Sequence, residues 1–99
     1  MIKIKNVDEK LADIGFKKIK EDKNFCAYSR ENNEFGYIQE VDICYKKSGR
    51  HILQSYDPKL FDDEGIGNTC VGLTGYEMKL FLKKMKKMGL YSKGGKYND

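Results

Sequence analysis

Residues 73 to 89 read as a helix marked at both ends, and that segment restricts the chain to folds in which an amphipathic helix has a surface to lie on. Thr74 and Glu77 form a capping box, each side chain satisfying a backbone amide that the first turn leaves bare. Leu73 and Met78 are spaced as a hydrophobic staple, and Gly89 supplies a left-handed stop that should bring Leu90 back onto Met85. Between these ends Met78, Phe81, Leu82, Met85 and Met88 recur at helical spacing, while Lys79, Lys83, Lys84, Lys86 and Lys87 fill the remaining positions. The apolar stripe must be buried against another element.

That element is expected to be a sheet. From Phe16 to Asp57 the pattern changes to short aromatic and β-branched runs, broken at Glu21-Asp22-Lys23-Asn24, Asn32-Asn33 and Ser48-Gly49. Four strands in a meander fit these breaks. In the third, Phe35, Tyr37, Val41, Ile43 and Tyr45 alternate with Gly36, Glu40, Asp42 and Lys46, as in a sheet with one wet face, and Ile38 and Gln39 break the alternation. Hairpin tips at Asn32-Asn33 and Ser48-Gly49 would set Tyr28 opposite Tyr37, Tyr45 opposite Ile52 and Val41 opposite Tyr56. One face would then collect Tyr28, Tyr37, Tyr45 and Tyr56 beneath the methionine-lined helix.

A shorter helix precedes the sheet. Asn6 and Glu9 make a second capping box, Val7, Leu11 and Ile14 share a face, and Gly15 allows Phe16 to fold back on Leu11. The expected architecture is α+β: a short N-terminal helix over residues 6 to 14, a four-stranded antiparallel meander sheet and a long C-terminal helix packed on one sheet face. Residues 1–90 form one domain and 91–99 a flexible polar tail. Residues 57 to 73 form a long connection containing Pro58, Gly65, Gly67 and Gly72, with a brief edge strand near Thr69 to Val71.

The chemistry that a chain of this composition can support is limited by what it lacks. Cys26, Cys44 and Cys70 are odd in number and widely spaced, a poor disulfide framework, and no apolar run near Met1 resembles a signal peptide. Nowhere is there the roughly 18-residue apolar run that a membrane-crossing helix needs. A cytoplasmic, unanchored protein is expected. No two of the three cysteines and His51 lie within six residues, unlike the paired ligands of a structural zinc site. A thiol enzyme would need Cys70 activated by His51, which nothing in the spacing supports. The glycines from Gly65 to Gly72 lead to Leu73 and Thr74 where a phosphate loop places its lysine and hydroxyl. Asp62-Asp63-Glu64-Gly65 would put Leu60 first and Val71 twelfth in a calcium loop, where carboxylates belong. Glu40 and Asp42 share a strand face, but a general acid needs burial to raise its pKa, and that face reads as wet. No catalytic, cofactor or metal residues are therefore assigned.

Charge is uneven along the chain. Residues 1 to 30 carry 8 basic and 5 acidic groups, 31 to 65 carry 4 and 8, and 66 to 99 carry 7 and 2, for a net charge of +4. Only Arg30 and Arg50 among the 19 basic residues are arginine, which disfavours sequence-specific reading of DNA. Exposed tyrosines beside lysines could stack single-stranded bases, whereas tyrosines under the helix could not.

The segments Leu11-Ala12-Asp13-Ile14-Gly15-Phe16-Lys17-Lys18, His51-Ile52-Leu53-Gln54-Ser55-Tyr56 and Val71-Gly72-Leu73-Thr74 leading into Glu77-Met78-Lys79-Leu80-Phe81 resemble those of small prophage or mobile-element proteins of low-GC Gram-positive bacteria. That group has no agreed activity, so the resemblance implies a phage-linked cytoplasmic setting and no catalytic residues.

The expected function is a non-enzymatic interaction module that binds a protein partner or a second copy of itself, through a sheet edge or the polar sheet face. The alternative is a weak sequence-independent nucleic-acid binder using Lys83, Lys84, Lys86 and Lys87. Neither a membrane nor a small-molecule substrate is expected.

Overall fold

Both helices begin where the sequence places a capping box. The computed structural model describes residues 4–45, 51–59 and 70–90. Its elements are α1 (Val7–Asp13), β1 (Lys17–Asp22), β2 (Phe25–Asn32), β3 (Tyr37–Tyr45), β4 (His51–Tyr56) and α2 (Gly75–Lys87). Asn6 accepts from the Glu9 amide while Glu9 accepts from the Asn6 amide, and Thr74 and Glu77 repeat the exchange at α2. Gly15 and Gly89 take positive φ values of 97° and 75°, and the Phe16 and Leu90 amides then reach back to the Leu11 and Met85 carbonyls. These are the glycine-terminated helix ends read from the sequence. Among the described residues no helix is long and apolar enough to cross a membrane.

The strands form one antiparallel sheet in the order β1-β2-β3-β4. Its registers differ from those expected. Tyr28 lies opposite Val41, not Tyr37, because the turn between β2 and β3 spans Asn33 to Gly36. Gly36 carries the left-handed residue, at φ 71°, and the Asn32 side chain accepts from the Phe35 amide. Phe35 is thereby carried onto the exposed turn. The next pairing slips by one position, with Tyr45 opposite His51, Cys44 opposite Ile52, and Val41 opposite Ser55. A one-residue slip turns every side chain of β4 to the other face. Leu53 goes inward beside Ile43, Ser55 takes a bond from buried Gln39, and Tyr56 leaves the face that holds Tyr28.

Both helices cover the same sheet face. Val7, Leu11, Leu80, Phe81 and Met85 pack with Phe16, Cys26, Tyr28, Val41 and Ile43 in a continuous core, and Leu90 joins them. Phe81 is its centre, its ring edge-on to Phe16 at 5.0 Å and to Tyr28 at 5.4 Å between centroids. The α2 stripe is rotated from the expected one: Glu77, Leu80 and Lys84 are buried with Phe81 and Met85, Leu82 and Met88 pack at the margin, and Met78 is 45% exposed. Two polar groups under α2 explain the rotation. Glu77 meets the Arg30 guanidinium at 2.8 Å, and Lys84 meets Asp8 and Glu21 at 3.2 and 3.0 Å.

The expected edge strand at Thr69 to Val71 is represented by a bridge from Cys70 to Tyr56 and a bond from the Val71 amide to the Ser55 carbonyl. Thr69, the Ser48-Gly49 turn, the acidic and glycine-rich stretch from Asp62 to Gly67, and the tail at 91–99 lie outside the described residues.

Candidate functional site

With both helices on one side, the opposite sheet face is left to a different set of side chains. Ser29, Glu31, Ile38, Glu40, Asp42, Cys44, Ile52, Gln54 and Tyr56 share it by register. Ile38 is 47% exposed there, beside a concavity of about 540 Å³ lined also by Gly15, Lys17, Ser29 and Glu31. The broken alternation at Ile38 and Gln39 has its cause here. The apolar residue points out, and the polar one points in, where Gln39 accepts from Arg30 at 2.9 Å and donates to Ser55 at 2.8 Å.

At the centre of this face Asp42 stands between Ala27 and Gln54 on the flanking strands. Ala27 ends at its Cβ, so the carboxylate lies low on the face and is only 8% exposed. The face expected to be wet is therefore dry at this position. Tyr56, opposite Glu40, places its hydroxyl 2.8 Å from Oε2 of Glu40 and 2.8 Å from Oδ2 of Asp42. One hydroxyl has one proton and can donate to only one carboxylate. A second proton, held by Asp42 below the pH at which it titrates, satisfies both contacts. Burial, reinforced by the hydrogen bond with Glu40, pushes the Asp42 carboxyl up to about 7. Its Oδ1 is buried with no hydrogen-bond partner among the described residues. Burial and the two carboxylates also push the Tyr56 hydroxyl up, so it remains a donor.

The retained proton has a measurable consequence. An acid whose pKa is raised on folding stabilises the folded state fully below its unfolded value, and that contribution is lost as pH rises through the folded value. The unfolding free energy of the native chain minus that of Asp42→Asn is expected to fall by about 1–3 kcal/mol between pH 4 and pH 8 in urea titrations. A flat difference would show that Asp42 is ionised throughout. Asp8, Glu21 and Glu77 act in the opposite sense. Burial raises Asp8 and Glu77, but hydrogen bonds from Tyr28, Lys18 and Lys84 on Asp8, and from Thr74 and Arg30 on Glu77, outweigh it. Lys18 and Lys84 hold Glu21 down. The stability these three supply is lost as pH falls, and subtracting the variant cancels it.

The lysines expected to face nucleic acid are divided by the fold. Lys83, Lys86 and Lys87 are exposed, whereas Lys84 is buried at the meeting of α1, β1 and α2. There Asp8 accepts from Lys84, from Lys18 at 3.0 Å and from the Tyr28 hydroxyl at 2.6 Å, while Glu21 accepts from both lysines. The network joins four elements and leaves Lys84 turned inward. On the outer side of α2, Met78 and Leu82 line a groove of about 520 Å³ with Lys79, Lys83 and Lys86.

Comparison with protein-family models, curated proteins and solved structures finds no match. The chemistry of the sites themselves carries the reading.

Of the other candidates, Cys26 faces the helices and Cys44 the opposite side of the sheet, and burial pushes the Cys26 thiol up. Among the described residues no group of three or more His, Cys, Asp or Glu side chains is placed to hold a metal ion. His51 and Tyr56 stand at opposite ends of β4, about 17 Å apart at the rise of an extended strand. Cys70 bridges to Tyr56, so β4 does not bring Cys70 and His51 together. Tyr28 is only 1% exposed, and Tyr56 is on the other face, so the tyrosines form no common stacking platform.

Proposed function

We propose that the protein is a non-enzymatic interaction module that docks a protein partner on the helix-free sheet face, in the cytoplasmic, phage-linked setting its sequence resembles. The observation that carries this reading is the exposed Ile38 beside a concavity, on a face that neither helix covers. Set beside a concavity, an outward apolar side chain can anchor a partner's side chain inserted there. Strand addition is a weaker mode here. The outer strand β1 carries Lys17, Lys18 and Lys20 and bulges between Lys18 and Lys20, and both features deter edge pairing. The outer strand β4 is bridged by Cys70 and Val71.

Ile38→Asp tests the reading, because an exposed strand position should change stability by no more than about 0.5 kcal/mol. The native chain is expected to self-associate in light scattering or to retain a partner in a pull-down, and the variant to lose that association while unfolding at a similar urea concentration. A native chain that is monomeric and captures nothing, or a variant that captures the same partner, ends it.

A second reading, sequence-independent contact with nucleic acid, is favoured by the exposure of Lys83, Lys86 and Lys87 along α2. Three phosphate contacts limit the loss of duplex affinity between 50 and 200 mM salt to roughly 40-fold. Lys83→Glu with Lys87→Glu should abolish a gel shift that Lys84→Met leaves in place. A salt-insensitive or absent shift excludes this reading.

A further inference from the structure

We propose that Asp42, Glu40 and Tyr56 form a receptor for a guanidinium group presented by the docked partner, and that binding of this cation displaces the proton held between the two carboxylates. The inference rests on the helix-free face being the docking surface and names the chemistry that the partner brings to it. Three features of the geometry point to it. Asp42 is more than nine-tenths buried, and its Oδ1 has no hydrogen-bond partner among the described residues. A buried acceptor left unpaired destabilises the fold, and a donor arriving with the partner would recover that loss. The second carboxylate, Glu40, is held within 2.8 Å of the same phenol oxygen as Asp42, so acceptor oxygens of two acids converge on one point. A guanidinium has five donors in a planar fork and no acceptor, and so can satisfy Oδ1 and the oxygens now bridged by Tyr56.

The described cations of the same face do not fill this role. Lys20, in line with Asp42 across Ala27, rests its Nζ over the Phe25 ring at 5.5 Å from the centroid. Lys17 lies in line with Glu40 across Ser29 and lines the concavity beside Ile38. Among the described residues the other charged or titratable groups on this face are Asp22 on β1, Glu31 on β2, Cys44 on β3 and Cys70, which bridges to Tyr56, while Gln54 beside Asp42 is neutral. Metal binding is less suited, since among the described residues no third His, Cys, Asp or Glu side chain joins the two carboxylates to hold an ion.

The proton balance is explicit. Below the pH at which Asp42 titrates, the free cluster holds the Glu40 carboxylate and the protonated Asp42, a charge of about −1. The guanidinium enters with its own positive charge intact, the Asp42 proton leaves to solvent, and the occupied site carries two carboxylates and one cation. Affinity therefore rises with pH until the cluster is deprotonated.

The test is a carbon-detected NMR titration of the full chain with acetyl-Gly-Arg-Gly-amide, and with the same peptide carrying citrulline or lysine. The arginine peptide is expected to shift the Asp42 and Glu40 carboxyl and Tyr56 ring signals, and to bind about tenfold more tightly at pH 8 than at pH 6. The deprotonated fraction rises from about a tenth to about nine tenths over that interval if the Asp42 carboxyl titrates at about 7. Citrulline, neutral and of the same shape, should leave the signals in place. Asp42→Asn should remove both binding and its pH dependence, and Glu40→Gln, on a half-buried residue, should weaken binding in a chain that remains folded. Equal shifts with citrulline or lysine, or no shift with arginine, overturn the proposal. If the native chain still captures a partner that Ile38→Asp loses, the docking face stands and only the guanidinium site fails. If Ile38→Asp changes nothing while the arginine peptide binds, the docking face fails and the site stands.

Discussion

Phe81→Ala is expected to lower the unfolding free energy by about 4 kcal/mol, a large part of the stability of a domain this size. The ring is fully buried and touches Phe16 at the end of α1 and Tyr28 on the sheet, so it ties α2 to both other layers of the core. Its removal leaves a cavity whose walls belong to three elements and cannot close together. Met78→Ala, three residues earlier on α2, should cost no more than about 0.5 kcal/mol, because Met78 is largely outside the core. Urea unfolding of the two variants compares the rotated stripe with the one expected from helical spacing. If Met78→Ala proves the costlier change, the packing of α2 described above is wrong.

Arg30→Met should cost about 3 kcal/mol, most of it from groups left without partners. The guanidinium donates to the Ile14 carbonyl at 3.2 Å, to Glu77 at 2.8 Å and to Gln39 at 2.9 Å, and it stacks on the Phe16 ring at 4.1 Å. It thus joins the end of α1, the start of α2 and the interior of β3. Methionine restores the apolar stem but strands the Glu77 carboxylate, which is largely buried. Arg30→Lys should cost less than methionine and more than zero, because an ammonium cannot span the fork. In Arg30→Met with Glu77→Gln, part of the loss should return, since the uncompensated charge is gone. Arg30 also helps hold the Glu77 carboxyl down, so its stabilising effect is present at neutral pH and is lost as pH falls through the lowered value. In Arg30→Met that loss should move to higher pH. An equal cost for both substitutions, or no recovery in the double variant, would show that the ion pair contributes little.

The two residues that broke the alternation of the third strand, Ile38 and Gln39, were its most informative positions. Gln39 is inward because Arg30 and Ser55 satisfy it, and Ile38 is outward on the face proposed to dock a partner. Both were legible as exceptions, but not as partners, since Ser55 reaches Gln39 only in the observed register of β4. The acid pair was visible as Glu40 and Asp42 on one face. Its buried character was not, because that depends on Ala27 standing across from Asp42 and on Tyr56 turning to their side. Likewise nothing in the spacing of Lys83, Lys84, Lys86 and Lys87 marks the second of them as the one that Asp8 and Glu21 draw inward.

Local chemistry was sufficient for the order of elements, the antiparallel meander and both ends of each helix, since capping boxes and glycine stops act over five residues or fewer. The tertiary structure alone decided which face of β4 is covered and how far the buried stripe of α2 is turned. A shift of four residues in the pairing of β2 with β3 preserved the faces, whereas a slip of one between β3 and β4 exchanged them. Side chains alternate along a strand with a period of two, so parity determines which residues meet the helices, and parity is settled by burial and pairing across the whole sheet.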